Sequence, residues 1–108
     1  MTTLALTLAV PARARSELGV AVFALSRGAG VPEATRAALE RARALFEAAR
    51  SEGRVLRIEE TRIGLEGETR LCAVARDPEA AEDLMAQLKS TAEGAELFNV
   101  VAEPCSRP

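Results

Sequence analysis

Apolar and polar positions alternate cleanly at the start of the chain. Leu4, Leu6, Leu8 and Val10 fall on one side and Thr3, Ala5, Thr7 and Ala9 on the other, the period of two that predicts a strand. A polar connection, Pro11 to Ser16, leads to LGVAVFAL, whose run from Leu18 to Leu25 predicts a second strand. After Ser26-Arg27-Gly28-Ala29-Gly30 the period changes. Pro32 suits the first turn of a helix, and Ala38, Leu39, Ala42, Leu45, Phe46 and Ala49 recur at spacings of three and four up to about Ser51. Gly53 stops that helix and RVLRI resumes strand character. The apolar positions then switch from even (Leu56, Ile58) to odd (Ile63, Leu65), which predicts a bulge or bend near Glu60 before a turn at Leu65 to Glu68 and a return strand over 69–76. Asp77-Pro78 caps and opens a second helix through about Ala92, with Ala81, Leu84, Met85, Leu88 and Ala92 facing inward. Gly94 ends it, AELFNVVAE supplies the last strand, and residues 104–108 are expected as a flexible tail behind a single domain over 1–103.

The predicted order is β-β-α-β-β-α-β. Without the first strand it is βαββαβ, the order of the α+β ferredoxin-like split βαβ motif, a two-layer sandwich with both helices on one face of an antiparallel sheet. In that arrangement the strand over 18–25 is central, between the second hairpin strand and the last strand. The extra N-terminal strand then belongs at an edge, since six linking residues reach up to about 20 Å. A hairpin of the first two strands in a β-grasp-like sheet is the rival arrangement.

At 108 residues one domain is expected. Fourteen basic against sixteen acidic residues leave a net charge of −2, which lacks the basic footprint of nucleic-acid binding. No span of eighteen apolar residues predicts a membrane helix. Residues 1–54 carry eight arginines and five glutamates, and 55–108 carry six bases and eleven acids, so the halves differ in sign. A single lysine among fourteen bases, with abundant alanine, is the composition of GC-rich, bacterial coding. The opening MTTLALTLAVPARA has an apolar run and an Ala-Arg-Ala stretch but no positively charged start, so it is read as a strand rather than as a signal peptide. Cys72 and Cys105 match no paired-cysteine motif and are expected as free thiols in a cytoplasmic protein.

Candidate chemistry is thin. Two separated cysteines and no histidine cannot make an ordinary zinc site, so no metal and no cofactor is expected. Without histidine, a general base would have to be a carboxylate or a thiol, and no convincing set presents itself. The best ligand-binding candidate is the loop before the first helix, where Gly28 and Gly30 can aim backbone amides at an anion and Arg27 can clamp it. Acylphosphatases use a comparable loop with an asparagine on a hairpin strand, but the only asparagine here, Asn99, lies in the last strand.

The central strand and the last strand are apolar on both faces, whereas two helices cover one face of a sheet. The uncovered face is expected to present Phe23 with either Phe98 or Leu97 from the last strand, and Phe23, Leu25, Phe98 and Val100 are the residues expected at an interface. The chain is therefore expected to be a non-catalytic assembly or docking module, a homo-oligomer or the binder of a protein partner through its sheet face or an edge strand, the N-terminal strand having no charged residue to oppose pairing with another chain. Alternatives are a regulatory domain that binds a small anionic effector at Arg27, Gly28 and Gly30, or an inhibitor or immunity protein. The plainer expectation for the open face is that the N-terminal strand, its linker or the C-terminal tail folds over it.

Overall fold

The structure is a computed structural model that describes residues 17–106. It is an α+β arrangement of four antiparallel strands and two helices, in the order β1 (Leu18–Ala24), α1 (Glu33–Ser51), β2 (Val55–Arg62), β3 (Thr69–Ala75), α2 (Pro78–Thr91) and β4 (Phe98–Ala102). The strands lie side by side as β2-β3-β1-β4. The expected N-terminal strand over residues 3–10 lies outside the described residues.

β1 is central because it is apolar on both faces and can be covered twice. It pairs antiparallel with β3, Val22 opposite Leu71, and with β4, Val22 opposite Val100. Its even positions Val20, Val22 and Ala24 join Leu71, Ala73, Phe46, Leu84, Leu88 and Phe98 in one core between sheet and helices. α1 buries Thr35 together with the predicted Ala38, Leu39, Ala42, Phe46 and Ala49, with Leu45 packed at the margin. α2 starts as its first residues dictate: Asp77 stands in extended backbone, its side chain accepts the Ala80 N–H at 2.9 Å, and Pro78 follows in the first turn. It buries Ala80, Leu84 and Leu88, and the predicted Ala81, Met85 and Ala92 pack at the rim. Arg43 of α1 crosses to Glu60 of β2 at 2.8 Å, tying the two layers at one edge.

The irregularity in β2 lies four residues earlier than predicted. Val55 pairs with Ala75 and Arg57 with Val74, so Leu56 is the extra residue, turned outward and 62% exposed. The inserted residue lets Val55 and Ile58, three apart, both face the helices. Ile63 and Leu65, whose odd spacing suggested a bend at Glu60, lie beyond the strand in the exposed hairpin tip.

Candidate functional site

The second face of the sheet is closed by residues 103–106. β4 passes into Glu103, whose N–H bonds the Gly19 carbonyl at 3.1 Å, and the following residues cross β1 and β3 to reach β2. Cys105 is joined to Cys72 in the middle of β3 by a disulfide. Ala21, Cys72, Val74 and Cys105 form a second small core, with Phe23 packed against it. Two expectations are corrected here. The cysteines are paired, and Pro104–Ser106 form a strap over the sheet where a flexible tail was predicted. The pairing was not visible in the spacing because 33 residues separate the cysteines; only the β3-β1-β4 register carries the segment after β4 back over Cys72.

Polar groups hold this strap along its length. One carboxylate oxygen of Glu17 accepts the N–H groups of Cys105 and Ser106 at 3.1 and 3.2 Å. The Arg70 guanidinium binds the Glu103 carboxylate at 2.8 Å and donates to the carbonyls of Pro104 and Cys105 at 2.9 and 3.2 Å. It also lies over the Phe23 ring, 5.8 Å from its centroid. Arg57 of β2 joins Glu17, Glu59 and the Ser106 hydroxyl, with contacts between 2.6 and 3.0 Å. The Ser106 amide, followed by Arg57, holds the Glu17 carboxyl below the usual carboxylate range. Arg57, followed by the Ser106 hydroxyl, does the same for Glu59. Both carboxylates stay charged because the charged form is the one that is hydrogen-bonded.

The four expected interface residues are therefore divided. Phe23 lies on the strapped face, half-buried beneath Arg70. Leu25 is half-buried just past β1, its N–H bonded to the Leu97 carbonyl at 2.9 Å. Phe98 and Val100 point the other way, into the core beneath the helices, and Phe98 is only 5% exposed. The register explains it: they stand opposite Ala24 and Val22, and directly paired residues share a face.

The loop proposed for anion binding has its donors occupied by protein groups. Gly28 and Gly30 take the positive φ values of 98° and 86° that glycine permits. The Gly30 N–H, however, donates to Glu66 at 2.8 Å, the Ser26 hydroxyl to Glu68 at 3.0 Å, and Arg27 is paired with Glu96 at 2.9 Å. The Gly28 N–H is turned to the Ser26 hydroxyl. Three glutamates thus stand where an anion would sit, and the loop joins β1 to the hairpin tip. No group of three or more potential metal ligands occurs among the described residues, and no helix among them is long and apolar enough to cross a membrane.

The two sheet edges differ in chemistry. β2 carries Arg57, Glu59, Glu60 and Arg62, charges that oppose pairing with another strand. β4, FNVVA, carries none. The bonds from Glu103 to Gly19 and from Leu25 to Leu97 fix the antiparallel alternation, so Phe98, Val100 and Ala102 turn their N–H and C=O groups away from β1, the Phe98 N–H donating to the Ala95 carbonyl at 3.3 Å. Beside this edge a groove of about 420 Å³ runs between β1 and α2, lined by Leu18, Val20, Ala81, Met85, Ala86 and Ala102, with Glu82 and Lys89 beside them. The edge strand expected from sequence to pair with another chain is the N-terminal one, which lies outside the described residues. The uncharged run from Leu97 to Ala102 was the available signal for β4.

No protein family, no curated protein and no solved structure matches the chain.

Proposed function

We propose that this protein is a non-catalytic assembly module that forms a homodimer by pairing the β4 edges of two copies. The observation that carries this reading is the asymmetry of the edges: β2 is charged along its length, whereas β4 is uncharged, directs the backbone groups of Val100 and Ala102 outward, and borders an apolar groove. Two antiparallel β4 strands related by a twofold axis make a self-complementary contact and a continuous eight-stranded sheet. The strapped outer face is not needed, because its apolar residues are already covered. The fold reading that accompanies this is the ferredoxin-like one, supported by the central place of β1 and the packing of both helices on one face. The buried disulfide supports a working environment that is oxidising rather than the cytoplasm expected from sequence.

Ala102 and Ala86 test the edge without touching the core. Proline at 102 removes an outward N–H that β1 does not use, and glutamate at Ala86 places charge in the groove on an exposed helical position. Native mass spectrometry of the intact protein is expected to give twice 11.4 kDa. Ala102→Pro and Ala86→Glu should give monomers with unchanged circular dichroism. A wild-type monomer at tens of micromolar would overturn the self-association reading. If Ala102→Pro then also lowered the melting temperature of that monomer, the chain's own N-terminal segment would be the occupant of the edge.

A further inference from the structure

The contacts on the outer face are directed mainly at main chain. Glu17 takes two successive backbone N–H groups, and Arg70 gives to two successive backbone carbonyls. Gly19 lets the bound segment approach, since a Cβ there would overlap the Glu103 carbonyl oxygen. Side-chain recognition is confined to three positions: the Glu103 carboxylate on Arg70, the Ser106 hydroxyl on Arg57 and Glu59, and the Cys105 sulfur on Cys72. Contacts to main-chain groups do not depend on which chain supplies the segment. We propose that the outer sheet face around Cys72 is a docking site for an extended, cysteine-bearing peptide, that residues 103–106 are its resident ligand, and that a peptide of the same chemistry can replace them through a mixed disulfide with Cys72.

The exchange balances without an added oxidant. The thiolate of the incoming peptide attacks the Cys72 sulfur, the bond from Cys72 to Cys105 breaks as the new one forms, and Cys105 leaves as a thiolate that takes a proton from water. Cys72 is fully buried and Cys105 nearly so, so attack must wait until the polar contacts of Glu103, Pro104 and Ser106 open around the still intact bond. Arg70 and Glu17 therefore control the rate, and the same two residues give the incoming peptide its advantage over a small thiol that makes no backbone contacts. This site is separate from the β4 edge, and either can operate without the other.

The full-length protein is incubated in glutathione buffer with the synthetic peptide Ala-Glu-Pro-Cys-Ser-Arg-Pro, the sequence of residues 102–108, and adducts are located by intact mass and tryptic mapping. One peptide per chain should appear on Cys72, in excess over glutathione and over a scrambled peptide carrying the same cysteine. Arg70→Ala should raise the rate of thiol attack by roughly tenfold, the factor expected from losing a charge-assisted hydrogen bond, and should abolish the preference for the cognate peptide. Glu17→Gln should act in the same direction. Equal adduct yields from cognate peptide, scrambled peptide and glutathione on the wild-type chain would overturn the proposal, and that comparison stands even if Arg70→Ala fails to fold.

Discussion

Gly19 shows how a single position can serve two strands and a strap at once. It lies in β1, yet its missing Cβ makes room for the Glu103 carbonyl and the Cys105 amide that pass above it. In the sequence it is one position of an apolar run, because the close approach comes from a segment more than eighty residues away. Gly19→Ala is expected to push the strap off the sheet and to destabilise the protein by about 1–3 kcal/mol, the range for overpacking a well-filled site; urea unfolding measures this, and an unchanged midpoint would mean that the strap does not lie there. Glu17 makes a second residue-scale prediction. Its carboxyl is held below the ordinary value of 4.5 by the Ser106 amide first and by Arg57 next, so its contribution to stability is complete above that value and is lost as pH falls through the lowered one. The amide protons of Cys105 and Ser106, followed by NMR, should titrate with a midpoint below 4.5. A midpoint at the ordinary value would mean that the strap is not bonded to Glu17 in solution.

At the scale of elements, sequence patterning was informative wherever a period or a cap governs structure. The helical stripe from Ala38 to Ala49, the Asp77-Pro78 start of α2 and the two-faced β1 all appear as predicted. The misplaced bulge in β2 has a local cause. An outward Leu56 beside an inward Val55 cannot be told from an inward Leu56 by spacing alone, and only pairing with β3 decides between them. Phe98 and Val100 were assigned to the wrong face because β4 is short and apolar on both sides, so its orientation is set by its register against β1. The strap was the least legible element: it has no period, and its order comes from the disulfide and from polar partners on other strands. Cys105→Ser should therefore cost roughly 2–4 kcal/mol, the usual worth of closing a loop of this size, and lower the melting temperature by roughly 10–25 °C for a domain of this length. Calorimetry of the variant, set against the wild-type protein fully reduced, checks this; if the variant melts with the oxidised wild type, the bond contributes nothing.

For the whole molecule, the distribution of cover matters more than any one side chain. A two-layer fold leaves one sheet face bare, and here a few residues of strap, anchored by one covalent bond and a cluster of charged groups, supply much of what a third layer would have supplied. The apolar excess read from sequence was thus real, but it divides between an internal seal and one uncharged edge. Two ion pairs join the basic half to the acidic half, Arg27 with Glu96 and Arg43 with Glu60. Net charge could not reveal this, because these partners come together only in the folded chain.

The central position of β1 has a consequence for synthesis. The first strand of the sheet acquires its second neighbour only when β4, the last, has been made. At roughly 5–20 residues per second, the intervening chain takes several seconds or more to emerge. During that interval on the ribosome, β1 and β3 can pair, but the side of β1 reserved for β4 stands open and the face reserved for the strap is unsealed. The nascent protein thus passes through a stage in which its most apolar strand is half-dressed, and its safety from misassembly then rests on the speed with which β4 and residues 103–106 close over it.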